Sequence, residues 1–186
     1  MLAPVPPKAR GPRSGGGVMF LLNLVRRWLD DVRRNHALEH ATVAVLFARR
    51  GPQRLAGRAS GDGFFIIGNI EATLLASCAD EALTRLRGGE ANLAISPMCG
   101  TNLAVTGAVC AAFTMVALKR NADRGVRQKF GDAVSASTVG ALLSQPLGRI
   151  VQEQITTRPD LERTEIVRIR QYLPFLSKVY TRRDAA

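Results

Sequence analysis

Histidine, aromatic residues and acidic residues are all scarce in this chain. Its 186 residues include two histidines, 5% aromatic residues and 15 Asp or Glu against 26 Lys or Arg, which leaves a net charge of +11. Such an excess of positive charge fits binding to nucleic acid or anionic lipid, or a membrane-facing topology. The basic residues form no DNA- or RNA-reading motif, and few aromatic side chains are present to stack on bases. We therefore expect a lipid bilayer, and no nucleic acid, among the partners.

Cysteine is also rare, and the three cysteines do not suggest a disulfide framework. Cys78, Cys99 and Cys110 are odd in number and lie in unlike contexts, which favours a reducing compartment. Cys78 falls on the apolar stripe of a predicted helix and is interpreted as a core residue. Cys99 lies between Pro97 and Gly100, in a tight turn that either presents a thiolate or simply accommodates a small side chain.

Both histidines belong to one short motif, Asn-His-Ala-Leu-Glu-His-Ala-Thr, at residues 35–42. On a helix, His36 and His40 share a face because they are four residues apart, and Glu39 lies at its edge. This is the H-x-x-E-H spacing of the inverted zinc hydrolases, in which two imidazoles bind the metal and the carboxylate acts as general base. The alternative is that both rings are satisfied by hydrogen bonds in the core and Glu39 pairs with an arginine such as Arg33 or Arg50.

A catalytic zinc site needs a third protein ligand and an open position. The inverted motif normally takes a downstream glutamate, but here that distance falls within residues 99–150, whose two apolar runs contain no carboxylate. Cys99 is therefore the preferred third ligand, ahead of Glu71, Asp80 and Glu90.

The first 50 residues are expected to pass from a disordered tail into a helix. Residues 1–17 are rich in Pro, Gly and Arg and have almost nothing to bury. The apolar run 18–25 lacks a small-residue cleavage site and is followed by two arginines. It is interpreted as an uncleaved amphipathic helix on a membrane surface, with Trp28 at the interface. This helix continues, or restarts, as a central helix at residues 35–49, which Gly51 and the following proline end.

Residues 18–98 predict a small α+β domain. Its ββαβ-type layer is expected to pack on the central helix. The strands and the helix of this layer are predicted at residues 54–59, 64–67, 71–87 and 91–95.

Residues 99–150 are interpreted as a transmembrane helical hairpin inserted into the α+β fold. Residues 95–118 contain no charged side chain, and a second uncharged run covers residues 133–148. At about 1.5 Å per residue, the first run is long enough to cross a bilayer core of ~30 Å. Small residues recur at every fourth position in both runs, which allows two membrane helices to pack closely or the hairpin to form a homo-oligomer. The alternative is a buried helical hairpin in a soluble protein.

The charges around the hairpin do not orient it in a membrane. The connector 119–132 carries five basic residues, and five more lie near the other ends of the two helices. Because no signal peptide is evident, both termini are placed in the cytoplasm, in a multi-pass protein of the cell membrane. Residues 151–186 are expected to form a strand, at 165–170, and a basic tail that return to the α+β domain.

Three stretches of the chain together resemble a family of small bacterial membrane proteins of unknown function. They are the motif at 35–42, the Cys-Gly-Thr-Asn turn at 99–102 and the Pro-Leu-Gly-Arg sequence at 146–149. In that family a His-Pro pair often precedes the turn, whereas Ser96 and Pro97 stand here. The resemblance implies a membrane architecture and no particular activity.

Two classes of function fit these features. The first is an integral membrane protein without enzymatic activity, a structural or interaction module anchored by the hairpin. The second is a membrane-embedded zinc-dependent hydrolase, with His36, His40 and Cys99 as ligands and Glu39 as general base.

Overall fold

A computed structural model describes residues 16–184 of the chain. Within this range the fold is α+β, as predicted, and its main elements are α1 (Gly16–Arg50), β1 (Ala56–Ser60), β2 (Gly63–Ile67), α2 (Ala72–Arg87), α3 (Gly100–Arg120), α4 (Val126–Val151), β3 (Thr164–Leu173) and β4 (Leu176–Arg183). The tail predicted at residues 1–17 lies outside the described residues, apart from Gly16 and Gly17, which begin α1.

Helix α1 is continuous, but its two halves lie in different surroundings. The second half carries fully buried apolar side chains, namely those of Ala37, Leu38, Ala41, Val45 and Leu46. In the first half, residues 18–25 are all exposed, and Asn23 is the only polar residue among them. This part of the helix is therefore apolar on all sides and not amphipathic. The helix ends at Arg50 because Gly51 adopts a φ of 76°, the left-handed conformation that favours glycine after a helix.

The four strands form one antiparallel sheet in the order β1-β2-β4-β3. In β2, Phe64 and Ile66 are buried, and Val179 of β4 is buried beside them. The strand predicted at residues 165–170 lies within β3, but β3 is an edge strand of the described sheet, and among residues 16–184 it pairs with β4 alone. Strand β4, which the sequence did not predict, reaches β2 because Pro174 lies in the turn of a β3–β4 hairpin instead of breaking the segment.

Two helices cover this sheet and supply most of the core. Helix α1 contacts β1 and β2, while α2 contacts β3 and β4. Leu75, Cys78 and Leu86 of α2 are buried in the resulting apolar cluster. The prediction of Cys78 as a core residue is therefore confirmed.

The prediction of a third strand at residues 91–95 is wrong. Residues Ala91–Ala94 form a 3-10 turn that packs on α1 and belongs to no strand of the sheet. The backbone of a strand bonds to a neighbouring strand. In this segment the carbonyl oxygen of Ala94 instead accepts a hydrogen bond from the His40 ring. The sheet is completed from the C-terminal part of the chain, so the ββαβ order is wrong as well.

Helices α3 and α4 form a closely packed helical hairpin. A Cβ placed on Gly140 would lie 3.0 Å from the Cα atom of Cys110, so the two backbones meet at this glycine. Along the same seam, hydroxyl groups bond in pairs across the helices, Thr106 to Ser144 and Thr114 to Ser137, each at 2.8 Å.

Helix α3 has the length and apolar composition needed to cross a membrane. It is the only such helix among the described residues, and its apolar window has no buried residue. The structure therefore supports one membrane-spanning candidate at Gly100–Arg120, where the sequence predicted two.

Candidate metal centre

The two histidine rings lie together on the buried side of α1. His36 and His40 are one helical turn apart, and their ring centroids are 4.3 Å from each other in an edge-to-face arrangement. His40 is buried and His36 is half-buried. The two imidazoles thus lie side by side on one face of the helix, as the four-residue spacing of the motif predicted.

Backbone carbonyl groups orient both rings in the same way. The Nδ1 atom of His36 lies 2.9 Å from the carbonyl oxygen of Thr156, and that of His40 lies 2.7 Å from the carbonyl oxygen of Ala94. A carbonyl oxygen only accepts hydrogen bonds, so each Nδ1 must donate. In the neutral rings Nε2 then carries a free lone pair, and metal-binding histidines are commonly held by such a hydrogen bond behind the ligand atom.

Cys99 is brought to the histidines by the start of α3. It is the N-cap residue of that helix, and its Sγ atom accepts a hydrogen bond from the backbone N–H of Thr101 at 3.4 Å. Sγ also lies 3.4 Å from Nε2 of His36. The ligand atoms of His36, His40 and Cys99 all lie within 4.8 Å of one another.

The environment of Cys99 favours the thiolate. Burial by itself raises the pKa of the thiol, but hydrogen bonds with His36, His40 and Thr101 outweigh this effect and lower the pKa to about 5. The pKa of His36 responds in the opposite direction: burial lowers it, and the bonds to Cys99 and to the Thr156 carbonyl raise it above its ordinary value. Without a metal, the pair therefore favours a thiolate beside a protonated imidazole, and a metal bound at Nε2 would take the place of that proton.

A network of buried amides holds the turn that carries Cys99. The side chain of Gln152, which is fully buried, accepts from the backbone N–H of Ser96 at 2.9 Å and donates to the Asn102 side chain at 2.7 Å. Asn102 in turn donates to the carbonyl oxygens of Ser96 and Pro97, both at 3.1 Å. Gln152 was not predicted from the sequence, because nothing local marks a single glutamine as the partner of a turn 56 residues earlier.

Glu39 is buried next to the cluster, close to β1. A Cβ placed on Gly57 would overlap the Glu39 carboxylate, so any larger residue at position 57 would displace the Glu39 side chain from this place. The pairing of Glu39 with an arginine does not occur among residues 16–184, since the charged groups that influence its pKa are His40, His36 and Cys99, and Arg33 instead donates to the carbonyl oxygen of Gln154. Burial raises the pKa of the Glu39 carboxyl group.

The other acidic candidates lie away from this cluster. Glu71 accepts from the hydroxyl group of Thr73 at the start of α2, Glu90 pairs with Arg85, and Asp80 is exposed. Among the described residues, the group that could hold a metal consists of His36, His40 and Cys99.

The cluster opens into a cleft of about 570 Å³, lined by His36, Glu39, His40, Cys99 and strand β1. In a tetrahedral zinc site with bonds of 2.0–2.3 Å, the donor atoms are about 3.3–3.6 Å apart. The distance between Cys99 Sγ and His36 Nε2 already falls in this range. Two nitrogen donors and one thiolate suit zinc, and a metal held by them would be reached by water from the cleft that all three residues line.

Comparisons with known proteins place the chain in a family without a known activity. Residues 31–169 match a domain of unknown function, DUF6391. The chain is also 39% identical over 140 residues to an uncharacterised protein of Picosynechococcus sp., and this similarity covers 70% of the chain and 68% of the relative. No solved structure matches the chain. The matched residues span all of the candidate centre, and the chain belongs to the DUF6391 family, as the resemblance to a family of unknown function indicated.

Proposed function

We propose that the protein is a membrane-anchored zinc-dependent hydrolase in which His36, His40 and Cys99 bind the metal and Glu39 is the general base. One observation carries the proposal. Three donor atoms from two distant parts of the chain converge within 4.8 Å, at the wall of an open cleft. Beside them lies a buried carboxylate that pairs with no arginine or lysine of residues 16–184. Polar groups in such a position cost stability unless they are satisfied or serve a function.

The chemistry follows from the roles of these side chains. Bound zinc would polarise a substrate carbonyl group and acidify a water molecule in the open position. Glu39 is not a member of the ligand cluster, so its carboxylate is free to take a proton from that water and deliver it to the leaving group. Its raised pKa suits both steps, because the group must hold the proton between them.

The second candidate is a membrane module without enzymatic activity, and one observation favours it. Both rings find the backbone carbonyl groups that would satisfy them in a core. These bonds use only Nδ1, however, while His36 Nε2 faces the thiol of Cys99. A purely structural histidine pair would not need a cysteine with a lowered pKa beside the rings.

We also propose that the α3–α4 hairpin crosses the membrane as a unit. At about 1.5 Å per residue, the 21 residues of α3 span about 31 Å, close to a bilayer core of ~30 Å. Its partner α4 exposes apolar side chains outside the shared seam, such as those of Val139, Leu142, Leu143 and Leu147. Hydroxyl groups face the seam, where the other helix satisfies them. The centre would then lie at the mouth of the hairpin, since Cys99 immediately precedes α3.

The hairpin also suggests an orientation. Two crossings leave the parts of the chain before and after it on the same side of the membrane, which fits one sheet built from both parts. A thiolate ligand survives best in a reducing compartment, so we place this side and both termini in the cytoplasm. The exposed apolar first half of α1 would contact the same membrane, with Trp28 near the interface.

Zinc content after purification in detergent, without a histidine tag, tests the metal centre. The wild-type protein should carry one zinc ion per chain, and H40A should carry none. C110A is a matched control, because it removes a thiol outside the cluster. If the wild-type protein binds no metal even after zinc is supplied, the hydrolase proposal is wrong and the structural module stands.

A further inference from the structure

One wall of the cleft is a sheet edge that no strand of residues 16–184 pairs with. Strand β1 pairs only with β2, and residues 56–59 line the cleft. At the end of the strand, the carbonyl oxygen of Ser60 accepts from the Asn35 side chain. Along residues 56–59, no strand of the described chain covers the outer edge, and such an edge is a template for another extended chain.

The side chains of β1 leave its backbone accessible from the cleft. Ala56, Gly57 and Ala59 carry at most a methyl group, and residues 56–58 are exposed. At Gly57 the absence of a side chain lets the Glu39 carboxylate contact the strand. An extended chain laid along β1 would therefore pass directly by the general base and the three ligand atoms.

Resting on the proposed hydrolase function, we infer that the substrate is an extended peptide segment that adds to β1 as a fifth strand. Main-chain hydrogen bonds to residues 56–59 would hold it, as in other cases where a peptide extends a sheet. In the reaction, the water oxygen bonds to the peptide carbonyl carbon, and the carbon–nitrogen bond breaks. Glu39 transfers one water proton to the departing nitrogen and the other stays on the oxygen, so the products are a carboxylic acid and an amine.

The charge at the cleft adds a preference to this mode of binding. Among the described residues that line the cleft, Arg58 is the only arginine or lysine. It is exposed and lies on the strand that the peptide would extend. A peptide with an acidic side chain opposite Arg58 is therefore favoured, by about threefold for an exposed ion pair.

Hydrogen exchange on the full chain in detergent tests the inference. The zinc-loaded E39Q variant is mixed with a pool of decapeptides that have a central glutamate and random flanking residues. Amide exchange in residues 56–59 should slow at least tenfold, while exchange in β3, the other edge of the sheet, should stay unchanged. A pool with a central lysine should protect β1 about threefold less well, and R58E should reverse this order.

Several outcomes would overturn the inference without touching the metal centre. The first is that β1 gains no protection from exchange while zinc is bound, and the second is that β3 is protected equally. The third is protection that grows with protein concentration in the absence of peptide, which would show that two copies of the chain pair with each other. A pool of fully N-methylated peptides, which have no backbone donors, should give no protection. If the protein binds no zinc, the proposed hydrolysis fails, and the same measurement without metal still decides whether β1 accepts a peptide.

Discussion

The Sγ atom of Cys99 lies 3.4 Å from Nε2 of His36, although 63 residues separate them in the chain. His36 is held by α1, and Cys99 by the first turn of α3. The contact therefore joins the α+β part of the molecule to the start of its most apolar helix. Any change that moves α3 relative to α1 should alter the metal centre.

Replacement of Cys99 by serine should remove most of the metal affinity. Serine keeps a side-chain acceptor at the N-cap of α3, with an oxygen in place of Sγ, but an alcohol is a far poorer zinc ligand than a thiolate. Zinc affinity should fall by more than the roughly 10–100-fold that is typical when a residue hydrogen-bonded to a metal ligand is removed. Competition titration with a zinc-binding dye measures it. Unchanged affinity in C99S would show that the third ligand lies elsewhere.

Replacement of Glu39 by glutamine should separate binding from catalysis. The side chain keeps its shape but cannot take a proton from water, so peptide cleavage should fall by about 100-fold or more. The zinc content should remain one ion per chain. Loss of zinc in E39Q would identify Glu39 as a ligand and exclude its role as the base.

Gln152 should matter for the metal although it is not expected to touch it. In Q152A the N–H of Ser96 and the side chain of Asn102 each lose a partner, at about 1–3 kcal/mol of stability. The looser turn should also lower zinc affinity by about 10–100-fold. The exposed Gln154 supplies the control, since Q154A should change neither quantity. Equal affinities in both variants would show that the turn is held by other contacts.

The packing of the hairpin can be tested with two glycines. Leucine at position 140 would enter the contact with Cys110 and should destabilise the hairpin by about 1–3 kcal/mol. A Cβ at Gly107 meets nothing within 4 Å, so G107L is the matched control and should not lower the melting temperature in detergent. The opposite order of effects would contradict the seam described above.

The ion pair of Arg34 with Asp160 should make stability depend on pH. Arg34 is buried and bonds to the Asp160 carboxylate at 2.6 Å. The hydrogen bond from Arg34 lowers the pKa of Asp160. The pair therefore stabilises the fold above the unfolded-state pKa of about 3.9, and this contribution is lost as the pH falls through the lower folded-state value.

D160N should accordingly lose about 1 kcal/mol at pH 7, a figure reduced for the exposure of the carboxylate, and progressively less as the pH falls below about 4. Thermal melts across this range measure the difference. A constant difference at all pH values would mean that the charge of Asp160 does not contribute.

The sequence by itself determined the features that depend on short spacing. The pair His36 and His40 shares a face because a helix repeats every 3.6 residues, and Glu39 follows from the same geometry. The β1–β2 hairpin and helix α2 were predicted for similar local reasons. The apolar run from residue 95 to 118 predicted α3, because its composition alone excludes an exposed loop.

Only the tertiary structure decided which distant groups meet. The sequence does not show whether Cys99, Glu71 or Glu90 lies nearest to the two histidines. The fold brings Cys99 to them because α3 starts beside α1. The carbonyl group of Ala94, in a segment predicted as a strand, instead orients His40. Strand β4 takes the central place beside β2 because strand pairing depends on chain segments more than 100 residues apart, which local periodicity does not encode.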